Sequence, residues 1–135
     1  MQRKLARENT FILIFESICK KDETAEEIFV KATEIRGLEF DDYVKNVFFG
    51  SYENAQNIEA VIEKYSSGWK KERISPVSMA LLRLGCYEMM YMSDIPAKVS
   101  INEAIELAKL YSDDEVRKMI NGVLDKVYHD KVDHE

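Results

Sequence analysis

Three positively charged side chains, Arg3, Lys4 and Arg7, cluster at the start of the chain, just before a strongly apolar segment. The residues that flank this segment favour a helix over a strand, so the three cations lie in or near its first turns. Positive charge at a helix N-terminus opposes the helix macrodipole and therefore needs another explanation. Contact with phosphate groups is one explanation, and a solvated helix start is the alternative.

A second group that could carry out chemistry is the carboxylate of Glu88. By helical angle it falls in the middle of the apolar face of a predicted helix that begins at Ser75-Pro76. A buried lone carboxylate is strongly destabilising unless it is paired or neutralised. We expect a structural carboxylate bonded to a cation such as Arg83, or to backbone donors at a neighbouring helix start. A catalytic carboxylate is the alternative.

The two histidines, His129 and His134, lie among carboxylates in a polar C-terminal tail. The tail offers no scaffold for a metal, so we expect it to be solvated. The sequence has no phosphate-cradling glycine-rich loop, no Cys-x-x-Cys pair, no His-Glu-x-x-His motif and no nucleophile-elbow serine. We therefore expect neither an enzyme nor a metal site, and no cofactor.

The composition suits one globular domain, with 135 residues of which 46% are hydrophobic and 33% charged. Cys19 and Cys86 have no closely spaced partner, and no apolar run approaches the length of a membrane helix, which predicts a cytoplasmic protein with reduced thiols. The net charge of −6 argues against a protein that coats nucleic acid by bulk charge. RNA binding would therefore be confined to one basic face.

Apolar residues recur at intervals of three and four along most of the chain, which predicts a succession of amphipathic helices. Thr24–Ile35 begins with a capping box. A longer rhythm runs through 41–65, where Gly50-Ser51 predicts a kink. Ser75-Pro76 starts the next helix, with serine as the N-cap and proline at the first helical position.

The stretch from Ile95 to Val127 predicts two further helices joined by a short polar turn. Ser100 and Ser112 are the predicted N-caps, because each is followed by glutamate three residues later. Gly122 lies in the middle of the second helix, where glycine costs about 1 kcal/mol relative to alanine. A glycine tolerated at such a position predicts a close approach of another part of the backbone.

The motifs of this stretch resemble the C-terminal signature of the NusB family of bacterial transcription antitermination factors. Ile95-Pro96 is followed by INEA-x-ELAK at 101–109 and by NGVLD at 121–125. Upstream, the W…R…LR…YE pattern of the same family is matched by Trp69, Arg73, Leu82-Arg83 and Tyr87-Glu88. The resemblance is close from Trp69 to Val127 and looser in the first half.

The resemblance implies an all-α fold of about seven helices in two small packed bundles. These would form a single domain, 1–135, with helical halves of about 1–67 and 68–135. It also implies a function: binding of the boxA element of ribosomal RNA transcripts together with the small-subunit ribosomal protein that acts as NusE. In this family the pair joins the antitermination complex on RNA polymerase and suppresses termination.

RNA-binding residues follow from the same resemblance. Single-stranded RNA is held by cations on its phosphates and by stacking of its bases on flat side chains. Arg3, Lys4 and Arg7 would supply charge. Phe15 stands where the family tends to have an aromatic residue and would stack a base, with core packing as the alternative. Lys98, in the turn after the proline of the signature, is a further RNA-binding candidate.

The last helix carries the remaining candidates. Lys118 and Met119 stand where the family more often has Lys-Phe, so the methionine replaces a stacking ring and offers an apolar contact in its place. Asn121 would bond either a base edge or a neighbouring backbone, and we favour the backbone. Glu115 falls near the family's protein-partner surface and is the candidate partner-binding residue.

Two other functions are open on the sequence. A helical protein–protein adaptor could have kept the fold and lost RNA binding. Some RNA cytosine methyltransferases carry a NusB-like N-terminal domain, but that function would need a cofactor-binding domain after Glu135. Exposed apolar residues could also serve a homodimer that hides the RNA surface.

Overall fold

The computed structural model describes residues 1–66, 68–69 and 71–133, and within these ranges the protein has seven α-helices, one 3₁₀ turn and no β-strand. This confirms the predicted all-α fold. The helices are α1 (Arg3–Cys19), α2 (Ala25–Glu34), α3 (Asp42–Glu53), α4 (Ala55–Tyr65), α5 (Pro76–Tyr91), α6 (Ala97–Tyr111) and α7 (Asp114–Asp133), with the 3₁₀ turn at Lys71–Arg73.

Helix α5 is the centre of the fold. It packs against α1, α3, α4, α6 and α7. Leu81, Leu82 and Leu84 point in different directions around its axis and are all buried, as expected of a helix enclosed on most sides. The two helical halves stay a prediction, and both the predicted boundary residue 67 and His134 lie outside the described residues.

The apolar segment near the N-terminus is helical, as predicted. Phe11, Leu13 and Ile14 are buried in α1, which packs against both α3 and α5. Among the described residues, neither α1 nor any other helix is long and apolar enough to cross a membrane.

Two predicted helix starts are confirmed. At α2, the Thr24 hydroxyl accepts from the backbone of Glu27, and the Glu27 carboxylate accepts from the backbone of Thr24. At α5, Pro76 occupies the first helical position, and the Ser75 hydroxyl accepts from the backbone N–H of Ser78 at 3.1 Å. Both signals lie within four residues of sequence, so they do not depend on a distant part of the chain.

The predicted kink at Gly50-Ser51 is wrong, because α3 continues through both residues and ends at Glu53. The break falls at Asn54, whose side-chain amide and backbone N–H both donate to the Gly50 carbonyl, at 2.8 and 3.0 Å. These bonds satisfy a carbonyl at the end of α3, and α4 begins as a separate helix at the next residue. Gly50 serves packing instead, since a Cβ there would overlap the ring of Tyr87.

The predicted N-caps Ser100 and Ser112 are also wrong. Helix α6 begins three residues before Ser100, after Pro96, and buries Ser100 in its first turn. Ser112 donates its hydroxyl back to the Ala108 carbonyl at 2.7 Å, which closes α6. The Asp113 carboxylate caps α7 by accepting a backbone bond from its first turn at 2.9 Å.

The predicted close approach at Gly122 is wrong, since Gly122 is exposed and a Cβ there would meet no described atom within 4 Å apart from the backbone of its own helix. The close approach lies at Gly85 in α5. A Cβ at Gly85 would sit 2.9 Å from Cδ1 of Leu124 and 3.7 Å from Cβ of Ala104. Gly85 therefore allows α6 and α7 to pack closely on α5.

We expect Gly122→Ala to raise the free energy of unfolding by about 0.5–1 kcal/mol, because alanine is the better helix former and the position is open. Gly85→Ala should lower it by about 1–3 kcal/mol, because its methyl group would displace Leu124. Urea denaturation followed by circular dichroism measures both. A destabilising Gly122→Ala would show that this glycine has a structural partner.

Candidate nucleic-acid interface

The carboxylate of Glu88 is buried and accepts hydrogen bonds from three other helices. Arg7 of α1 donates from Nε at 2.8 Å and from Nη2 at 3.1 Å. Ser100 of α6 donates its hydroxyl at 2.8 Å, and the Tyr43 hydroxyl of α3 donates as well. Both carboxylate oxygens are therefore satisfied, and one side chain of α5 joins α1, α3 and α6.

This confirms that Glu88 is buried and paired, but the expected partner is wrong. Arg83 pairs instead with Glu59 of α4. The partner of Glu88 is Arg7, which lies 81 positions away in the sequence. A pairing over that separation leaves no mark in local periodicity.

Arg7 is not available for a phosphate, contrary to the prediction. Its side chain is only 6% exposed, and its Nε and Nη2 both donate to Glu88. The remaining nitrogen, Nη1, lies 4.0 Å from a carboxylate oxygen of Glu103. Burial by itself lowers the pKa of Arg7, but the bonds and charge of Glu88 outweigh this effect and hold the pKa above its ordinary value. The guanidinium thus stays charged as an internal ion-pair partner.

Tyr43 is the aromatic member of this network. Burial, followed by the negative charge and hydrogen bond of Glu88, raises the pKa of its hydroxyl, so the phenol keeps its proton and donates it to Glu88. The sequence did not predict a functional role for Tyr43. Its pattern shows only a tyrosine on the inward side of α3, which is equally typical of core packing.

The other N-terminal cations, Arg3 and Lys4, are both exposed. The guanidinium carbon of Arg3 lies 4.4 Å from the centroid of the Tyr43 ring. Lys4 lines an open groove between α1 and α6, whose walls also include Glu8 and Glu106. Both charges can reach a ligand from solvent, although carboxylates stand beside Lys4.

Lys98 is exposed in the first turn of α6. Two residues further on, Ser100 bonds the same carboxylate that Arg7 bonds. The start of α6 therefore lies beside the first two turns of α1. The structure thus brings Lys98 into the neighbourhood of the N-terminal cations.

Phe15 is half-buried and packs against the core, with its ring centroid 6.5 Å from that of Phe11. Phe11 in turn contacts the ring of Tyr111 at 4.8 Å, at the end of α6. The next helix, α7, starts three residues after Tyr111. Phe15 keeps one part of its ring in solvent, and its stacking role stays a prediction.

Helix α7 presents Glu115, Lys118 and Asn121 to solvent. Their spacing of three residues places them along one face. The predicted backbone bond of Asn121 is wrong, because its side chain bonds no described residue. Met119 is only 8% exposed and belongs to the core, so the predicted apolar contact with RNA is not available.

At the C-terminal end of α7, His129 lies 3.5 Å from the carboxylate of Asp125 one turn earlier. Among the residues that the structure describes, no cluster of three or more histidine, cysteine or acidic side chains could hold a metal ion. The second histidine of the tail, His134, lies outside these residues.

The sequence model of the NusB family matches residues 4–129. The chain belongs to the NusB family. Transcription antitermination protein NusB of Acetivibrio thermocellus is 44% identical over 128 residues, which cover 94% of this chain and 88% of that protein. The NusB of Natranaerobius thermophilus is 40% identical over 131 residues, 94% of each protein. Membership confirms the resemblance and assigns the chain to non-enzymatic transcription antitermination proteins.

Solved NusB structures share the fold. NusB of T. maritima superposes with a TM-score of 0.81 at 32% identity, covering 94% of this chain and 90% of that one. A crystal structure of antitermination factors NusB and NusE in complex with double-stranded RNA matches with a TM-score of 0.82 at 25% identity, covering 94% and 96%. The seven-helix arrangement described above is therefore the NusB fold.

We expect Glu88→Gln to lower the free energy of unfolding by about 3 kcal/mol, because it leaves the buried Arg7 without a counter-charge. Urea denaturation measures the loss, and Glu63→Gln on the exposed face of α4 is the matched control, with a change within about 0.5 kcal/mol. Replacing Arg7 and Glu88 together by methionine should cost less than the sum of the two single changes. Equal effects of Glu88→Gln and the control would show that the ion pair is unimportant.

Proposed function

We propose that this NusB-family protein is an antitermination factor that binds boxA single-stranded RNA of ribosomal RNA transcripts together with the ribosomal protein NusE. The complex helps RNA polymerase read through terminators, in the cytoplasm. The observation that carries the proposal is the likeness, over 94% of this chain, to a NusB solved with NusE and double-stranded RNA. The identity of 44% to a named antitermination protein supports the same function.

The proposed RNA site uses the cations that the fold leaves in solvent. Arg3 and Lys4 at the start of α1, Lys98 at the start of α6 and Lys118 on α7 are exposed and would contact phosphates. Arg7 is excluded from this set by its bonds to Glu88. These cations would form a local basic face, which is compatible with the net charge of −6.

Base contacts would come from two further side chains. Phe15 is half-buried, so a splayed base can stack on its exposed part while the rest of the ring stays anchored in the core. The Asn121 amide has a donor and an acceptor, and it is exposed one turn from Lys118. An amide in this position can bond a base edge while the lysine holds the adjacent phosphate.

Glu115 is the proposed contact to the protein partner. It is exposed in the first turn of α7. Its carboxylate can meet a cation of the partner, while Lys118, one turn further along, faces RNA. This arrangement would place protein and RNA on adjacent parts of one helix, so that each partner favours binding of the other.

Binding of a short boxA RNA, with and without the NusE protein, tests the proposal at several salt concentrations. We expect selective binding that strengthens with NusE. The double change Arg3→Ala with Lys4→Ala should weaken it about tenfold and flatten the slope of log affinity against log salt by about 1.4, because two phosphate contacts are lost.

The matched control removes two other exposed cations, Lys31 of α2 and Lys64 of α4, which pair with Glu23 and Asp130. Its RNA affinity should stay within about twofold of the parent, since neither helix carries a proposed RNA contact. A scrambled RNA that binds as well as boxA, with NusE present, would refute RNA recognition.

The second candidate function is a protein–protein adaptor without RNA binding. The burial of both Arg7 and Met119 favours it, because two of the expected RNA contacts are absent from the surface. Under this alternative, NusE binds with ordinary affinity, Glu115→Lys weakens that binding, and boxA RNA adds nothing.

A further inference from the structure

The side chain of Arg3 lies over an aromatic ring rather than beside a carboxylate. Its guanidinium carbon is 4.4 Å from the centroid of the Tyr43 ring, which is within the range of a cation–π contact. No described carboxylate forms an ion pair with Arg3. The face of Tyr43 is therefore the surface that holds this cation near the N-terminus of α1.

The Tyr43 ring is fixed from below. The residue is only 5% exposed, and its hydroxyl donates to the carboxylate of Glu88. That carboxylate is itself held by Arg7 and Ser100, so it cannot turn away. A ring fixed by its burial and by the bond of its hydroxyl offers a stable platform to the Arg3 side chain.

A contact with the face of a ring uses none of the oxygen acceptors that a guanidinium prefers, and no described residue accepts a hydrogen bond from Arg3. The N–H donors of Arg3 therefore remain available to a phosphate. The side chain also loses less conformational freedom when the phosphate binds, because part of its freedom is already spent.

From this geometry we propose that Tyr43 is a positioning residue for RNA binding: its ring, anchored through Glu88, holds the guanidinium of Arg3 ready for a phosphate. The proposal rests on the RNA-binding function proposed above. It assigns to a buried tyrosine of α3 an effect on affinity that acts only through Arg3. The competing interpretation is that the ring withdraws Arg3 from RNA.

The test is a double-mutant cycle of Tyr43→Leu and Arg3→Ala, measured as boxA RNA affinity in the presence of NusE. Tyr43→Leu alone should weaken binding by about two- to fivefold, the range expected for an exposed cation–π contact. Within the Arg3→Ala variant, Tyr43→Leu should change affinity by less than about 1.5-fold, because the cation that the ring positions is gone.

Tyr43→Phe distinguishes the contact between the ring and Arg3 from the contribution of the Tyr43 hydroxyl to the stability of the Glu88 network. It keeps the ring and removes the bond to Glu88, so thermal stability should fall while RNA affinity stays within about twofold. Tyr52→Leu, on an exposed tyrosine of the same helix, is the control for loss of an aromatic ring. It should leave RNA affinity unchanged.

The contact itself can be observed without RNA. In NMR spectra of the parent protein and of Tyr43→Phe, the ring current of the aromatic side chain at position 43 should shift the side-chain protons of Arg3 upfield. This shift should vanish in Tyr43→Leu. Absence of the shift in the parent protein would overturn the proposal, whatever the RNA result.

The remaining outcomes are equally decisive. An equal loss from Tyr43→Leu with and without Arg3 would mean a purely structural role, and a gain in affinity would mean that the ring sequesters the arginine. Either result overturns the inference and leaves RNA binding intact. If the parent protein shows no selective boxA binding with NusE, the proposed function fails and the inference fails with it.

Discussion

The fold depends on one buried charge that has to be matched. A carboxylate taken out of water is tolerated only when its oxygens are bonded and its charge is compensated. Glu88 meets this condition through Arg7, Tyr43 and Ser100, and each donor comes from a different helix. Apolar packing alone would allow these helices to slide or rotate by small amounts. The bonds to Glu88 define one register, because any other arrangement would leave a charge or a hydroxyl unsatisfied in the core.

This constraint shapes the candidate RNA surface from the inside. It withdraws Arg7 from solvent and, in doing so, fixes the direction in which the first turn of α1 projects its neighbours. Arg3 and Lys4 are left outside the core, and the guanidinium of Arg3 lies over the ring of Tyr43, whose hydroxyl donates to Glu88. The same network sets the start of α6 beside them. A cluster of three basic residues in sequence is therefore divided by the fold into one structural cation and two that face solvent.

The division between what the sequence could and could not predict follows the range of the interactions. Helices and the caps at Thr24 and Ser75 were predicted correctly, because their signals lie within one turn of chain. The cap at Ser100 was wrong because its hydroxyl bonds a distant carboxylate instead. The long range of the bond to Glu88 also explains why Arg7 is wrongly predicted to contact phosphate. A basic residue beside two others resembles a surface cluster until its partner is known. Family resemblance predicted the architecture, but it carries no information on which cations this chain keeps in its core.

The small number of cations in the proposed RNA site constrains how RNA could be bound. Each phosphate contact to a single strand contributes a salt slope of only about 0.7, so a handful of cations on a chain of net charge −6 provides weak, strongly screened attraction. Sequence-independent binding is then disfavoured by the acidic remainder of the surface. Under the proposed function, selective binding would depend on base contacts and on a second protein that adds its own charges to the same strand. Shared recognition by two proteins would then follow from an acidic subunit with few cations in its RNA site, and it would tie the assembly of the complex to the presence of the correct RNA.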